Sequence, residues 1–107
     1  MNLSLSVRAL RVVAEPRRQQ ILQLIWHEER CAGAIAAAVD VTFSAVSQHL
    51  ARMRDIGVVS VRRAGKQRFY SVDKATLGPL AAFLEAQWTE RLSALKQLAE
   101  EEERRTR

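Results

Sequence analysis

Between Thr42 and Val72 the apolar residues switch from helical to extended spacing within a few positions, and few folds accommodate that switch. In TFSAVSQHLARMRDIG, Thr42 to Gly57, Val46, Leu50 and Met53 recur at i, i+4 and i+7. That stripe must face a core, which puts Ser44, Ser47, Gln48 and Arg52 on the opposite side. The outer face is short, polar and nearly free of acid. Thr42 is suited to cap the first backbone N–H groups, and Gly57 suits the left-handed turn that ends a helix. The following VVSVRRAGKQRFYSV has a period of 2, with a turn at Ala64 and Gly65. A β-hairpin with a three-residue loop is expected, setting Phe69 opposite Val61 on the buried face and Arg68 opposite Arg62 on the other. Like charges directly across a ladder are unfavourable. With Arg63 and Lys66 at the tip, the arrangement makes physical sense alongside a phosphate backbone.

Upstream, CAGAIAAAV predicts a short helix with Ile35 and Val39 inward, and Val39, Asp40 and Val41 form a tight turn in which Asp tolerates left-handed backbone. Short helix, tight turn and longer polar-faced helix make a helix-turn-helix, over about 32–55, whose second member lies in the DNA major groove. The hairpin, about 58–72, is then a wing. Earlier still, Pro16 fits the first turn of a helix that buries Ile21, Leu22, Leu24 and Ile25. Arg17 and Arg18 at its start read either as phosphate contacts or as plain surface charge.

The two ends are helical. Over about 3–14, Leu3, Val7, Leu10 and Ala14 form one stripe and Leu5, Ala9, Val12 and Val13 a second, so one side can pack on its own domain and the other on a second subunit. Over about 76–102, with Thr76 as the expected cap and Pro79 in the first turn, Leu77, Leu80, Leu84, Trp88, Leu92, Leu95 and Leu98 run at spacings of 3 or 4. Such a helix has more apolar stripe than a small core can cover and reads as a dimerisation helix. Leu3, Val7, Leu10, Leu84, Trp88, Leu92 and Leu95 are the expected interface, and Glu100 to Arg107 an exposed, fraying tail. The fold class is mainly α with a small β-hairpin, one winged helix-turn-helix domain over 1–107.

Charge and composition narrow the partners. The chain carries 17 Lys and Arg against 12 Asp and Glu, a net +5. Residues 1–72 hold 11 basic and 5 acidic side chains and the remainder 6 and 7, so the excess belongs to the part containing the helix-turn-helix. An acidic partner such as double-stranded DNA is favoured. A single cysteine, Cys31, forms no internal disulfide and fits a reducing cytoplasm. No apolar run approaches the roughly 18 residues of a membrane span. The Arg-rich, acid-poor start superficially matches a transit peptide but reads better as a packed helix. No Gly-rich phosphate loop, His ligand pair or Ser, His and Asp set suggests catalysis.

In combination, AEPRRQQIL, VTFSAVSQHLARMRDIGVVSVRRAGKQRFYSV and the terminal helices resemble the arsenical-resistance repressor (ArsR) family of bacterial winged helix-turn-helix regulators, over nearly the whole chain. The resemblance implies a homodimeric repressor that occupies an inverted-repeat operator until a signal releases it. By position it implies base reading by Ser44, Ser47, Gln48 and His49, with Arg52 nearby, and wing contacts from Arg62, Arg63, Lys66 and Arg68; Thr42, at the start of the same helix, is a further DNA-binding candidate. The chain departs from metal-sensing relatives: Cys31 in ERCAGAIA matches the first of their paired cysteines, and Gly33 stands at the second. One thiolate is too few for a soft-metal site, so neither metal nor cofactor is expected.

The signal stays open between a small-molecule effector and oxidation of Cys31. Trp26 and Trp88 could line an effector pocket, though most tryptophans fill core or interface. Two rival readings are a winged-helix protein-interaction module that leaves DNA alone and a thiol peroxidase using Cys31. The peroxidase lacks an evident partner base or resolving cysteine.

Overall fold

The computed structural model describes residues 3–106, and side chains from Val7 onward; the side chain of Leu3 lies outside the described residues. The elements in order are α1 (Leu3–Val13), α2 (Pro16–Leu24), β1 (Arg30–Cys31), α3 (Ala32–Val39), α4 (Phe43–Asp55), β2 (Val59–Ala64), β3 (Gln67–Val72), α5 (Lys74–Leu77) and α6 (Pro79–Arg105). The chain divides between Leu77 and Gly78 into two units.

The first unit is built around α4. Val46, Leu50 and Met53 are buried, as their spacing predicts, together with Ile35 and Val39 of α3, Ile21 and Leu22 of α2 and Val13 of α1. On α1 only one of the two stripes is used: Ala9 and Val13 are buried, while Val7 and Leu10 are at least half exposed. Trp26 is also buried, with the Lys74 ammonium 5.1 Å from the ring centroid, and so fills core rather than lining an open pocket.

Local backbone chemistry sets the orientation of α4. Thr42 accepts from the Ala45 N–H at 3.0 Å, the expected cap. Asp40 sits in the left-handed region at φ 53, the one non-glycine residue to do so among the described residues, and turns α3 into α4 within three residues. At the far end Val58 N–H donates to Met53 O at 3.0 Å and Gly57 N–H to Arg54 O at 2.9 Å, with Gly57 at φ 82. This is a Schellman motif, and Met53 and Val58, the pair that accompanies it, are fully buried.

The sheet departs from expectation in two ways. It has three strands, in the order β1-β3-β2, because the two residues before α3 pair antiparallel with β3, Arg30 opposite Tyr70 and Cys31 opposite Phe69. The hairpin register is also one residue from that expected: Val61 lies opposite Tyr70, Arg62 opposite Phe69 and Arg63 opposite Arg68. The loop has two residues, Gly65 and Lys66, with Gly65 at φ 63, the pattern of a type II′ turn. A one-residue slip exchanges the faces. Phe69 therefore leaves the face of Val61 and joins Arg62, whose guanidinium lies 5.0 Å from the ring centroid.

After the wing, the cap expected at Thr76 belongs to Asp73, whose side chain accepts from the Thr76 N–H at 3.1 Å and starts the short α5. Gly78, at φ 57 and ψ −134, ends it in a conformation open essentially to glycine, and Pro79 begins α6. The second unit is that 27-residue helix, which stays helical through the acidic tail to Arg105. On it Leu92 and Leu95 are 69% and 63% exposed, whereas Leu84, expected at the dimer interface, is 2% exposed in the single chain.

Replacing Gly57 with alanine forces a Cβ into left-handed backbone, with Thr76 Cγ2 3.5 Å from where it would sit. The cost is about 1–2 kcal/mol. A urea titration is expected to show a lower midpoint with unchanged slope. An unaltered midpoint would refute the role given to this residue.

Candidate nucleic-acid interface

With its apolar stripe buried, α4 presents Ser44, Ser47, Gln48 and Arg52 to solvent, all exposed, on a helix with no acidic residue in its first turn. Thr42 and Phe43 stand exposed at the start of this face. Across from it the wing contributes Lys66 and Arg68. Cys31, Phe43, Ser47, Lys66, Gln67, Arg68 and Tyr70 line a groove of about 580 Å³ between the N-terminal half of α4 and the wing. A polar helix face beside a cationic hairpin is chemically matched to base edges flanked by phosphates.

Not every residue expected there contributes an open charge. Arg62 donates from Nε to both carboxylate oxygens of Glu29 at 3.1 Å, and its Nη2 also bonds that carboxylate. The hydrogen bond from Arg62 holds the Glu29 carboxyl below its ordinary pKa and raises that of the guanidinium. Arg63 and Arg68, directly across the ladder, and Lys66 at the turn are exposed cations of the wing, as is the paired Arg62. The like-charge pair is thus Arg63 with Arg68, one step from the pair that the three-residue loop implied.

Arg18 and His49 are drawn inward. Arg18 Nε donates to the Val12 carbonyl, and its Nη1 lies 3.4 Å from Nδ1 of the half-buried His49. Arginine can only donate, so Nδ1 accepts and Nε2 carries the proton of the neutral ring. Burial lowers the His49 pKa; Glu15 opposes this, and the charges of Arg18, Arg52 and Arg17 reinforce it. Glu15 itself caps α2 by accepting from the Arg18 N–H at 3.0 Å. Burial raises its pKa, but backbone N–H groups and the neighbouring cations outweigh that and leave it lowered. The group ties α1, α2 and α4 together, and it holds His49 half-buried rather than on the exposed polar face of α4. Arg17 is exposed and bonds Gln20 at 3.1 Å and the Val39 carbonyl at 3.4 Å, beside the turn into α4.

Cys31 is half-buried on the floor strand of the groove. Among the described residues no three His, Cys, Asp or Glu side chains are gathered to hold a metal ion, and no single helix is long and apolar enough to cross a membrane. Sequence reasoning did not single out Phe43, because its spacing of three and seven residues from Val46 and Leu50 places it in line with the buried stripe, whereas at the helix start it is exposed.

The comparisons with known proteins agree with this geometry. Residues 15–61 match the family described as bacterial regulatory protein, arsR family. The HTH-type transcriptional regulator Rv2034 of Mycobacterium tuberculosis is 33% identical over 95 residues, 89% of each chain. This chain belongs to the arsR family. Its relatives include the transcriptional activator HlyU of Vibrio cholerae, 30% identical over 78% of this chain and 77% of that one, and the HlyU structure superposes with a TM-score of 0.75 over 83% and 97% of the two chains. The homodimeric winged helix-turn-helix DNA-binding domain of Mb0332 from Mycobacterium bovis superposes with a TM-score of 0.72 at 29% identity, covering 86% and 85%. The chain is therefore a transcriptional regulator with a DNA-binding winged helix-turn-helix, and not an enzyme.

His49 supplies a pH test. A base with a lowered folded pKa binds fewer protons when folded, so its contribution is complete above the unfolded value of about 6.5 and is lost as pH falls through the lower folded value. Melting temperatures are expected to fall between pH 7 and 5, and to fall less in His49→Gln. An undiminished fall in the variant would remove His49 as its source.

Proposed function

We propose that the protein is a homodimeric, sequence-specific DNA-binding repressor of the cytoplasm, released from an inverted-repeat operator by a signal. One observation carries the reading: the polar solvent face of α4 lies beside the exposed cations Lys66 and Arg68, while the opposite stripe of the same helix is wholly buried. Two such helices would enter successive major grooves about 34–36 Å apart. Gln48 pairs bidentately with adenine, and Ser44 and Ser47 reach base edges or phosphates. Arg52, Arg17 and the wing supply phosphate contacts and hence affinity more than sequence choice.

The dimer reading rests on Val7 and Leu10 of α1 and on Leu92 and Leu95 of α6, apolar side chains at least half exposed in the single chain. A homodimeric neighbour of the same fold supports it. Introducing glutamate at Leu92 and Leu95 together is expected to give a folded monomer by sedimentation. Retention of the native mass would exclude α6 from the interface.

Phosphate contact makes affinity depend on salt. With about 6–10 phosphates neutralised per dimer, affinity should fall roughly 10³- to 10⁵-fold between 50 and 200 mM salt. Arg63→Gln and Arg68→Gln are expected to weaken binding to all sequences alike and to lower the salt slope by about 1 for each phosphate no longer neutralised. Gln48→Ala should instead alter which sequences are bound. Footprinting on the upstream DNA with oxidants, metals and cell extract identifies the signal, and transcription from the footprinted promoter decides repression against the activation for which HlyU is named.

A further inference from the structure

An exposed apolar side chain says little by itself. Phe43 differs in its position. It is the first residue of α4, one past the Thr42 cap, and is 60% exposed at the end of a helix whose other solvent-facing residues there are small and polar. Its neighbour one turn on is Ser47, and both line the groove whose opposite wall is Lys66 and Arg68. A phenyl ring on one wall and two cations on the other match an object that is apolar at one point and anionic a few ångströms away. The major-groove edge of thymine meets that description, since its C5-methyl group is the one apolar feature of the groove and lies between phosphate-bearing strands. The first residues of a recognition helix are also the ones that reach base edges.

We infer that Phe43 is a specificity-determining residue that packs on the C5-methyl group of a thymine in each half-site, so that the operator carries a required thymine at the position beneath the start of α4. This rests on the DNA-binding reading above. The groove's charge selects against an apolar protein partner for the same ring, because Lys66 and Arg68 would then be covered without an anion.

The full-length protein is first used to enrich binding sites from a random duplex library. Each thymine of the enriched site is then replaced by deoxyuridine, which removes the methyl group and leaves every hydrogen-bonding atom in place. One replacement in a single half-site is expected to weaken native binding about fourfold, the value of one buried methyl group, and one in each half-site about fifteenfold. The same replacement should have no effect on Phe43→Ala and a reduced one on Phe43→Leu, with melting temperatures of both variants close to native because the side chain is exposed. An enriched site whose thymine methyl groups are all dispensable, or a deoxyuridine penalty that persists in Phe43→Ala, overturns the assignment while leaving DNA binding intact. Unchanged DNA binding by Phe43→Ala with loss of self-association or of a protein partner also overturns it. Failure to enrich any sequence removes the DNA reading itself.

Discussion

Burial of one stripe of α4 is the constraint on which the rest of the structure depends. Val46, Leu50 and Met53 are shut away from water, and a helix with one stripe so committed has no freedom to rotate about its axis. The residues that α4 presents to solvent, Ser44, Ser47, Gln48 and Arg52, are therefore chosen by what the opposite side buries. The Asp40 turn and the Schellman motif at Gly57 then fix where the helix begins and ends, and His49, beside Arg18, ties it to α2. Most of the unit serves to keep a short polar face in one orientation.

The wing follows from the other end of the same helix. The Schellman motif delivers Val58 and Val59 straight into the core, so β2 starts in register with the helix it follows. Pairing with β1 on its far side anchors β3, which an isolated two-stranded ribbon could not achieve. The anchored ribbon can then hold Arg63 and Arg68 directly across from one another, an arrangement that costs stability in the free protein and is relieved by an anion.

Much of this was legible in the residues because it is local. The α4 stripe, the Thr42 cap, the left-handed Asp40 and Gly57, and the change of period into the wing each depend on neighbours within about four positions. What was not legible depends on partners far along the chain. Strand β1 is two residues long, too short to show a period, and exists only because β3 returns beside it. The hairpin register turned on which residue of Ala64, Gly65 and Lys66 opens the turn, a one-position question with a face-exchanging answer. Thr76 was the expected cap, but Asp73 takes that role for the short α5, and Gly78 breaks the chain before Pro79 begins α6. The destinations of Arg18, His49 and Arg62 are set by partners about thirty residues away, which no spacing rule records.

The ion pair between Glu29 and Arg62 has a bearing on the genome as a whole. A regulator must find a few operators among a vast excess of other duplex, and indiscriminate attraction rises with every counterion a cation can displace. The Glu29 carboxylate offsets one positive charge of the wing, so on the DNA-binding reading proposed above the phosphate contacts fall more heavily on Arg63, Lys66 and Arg68.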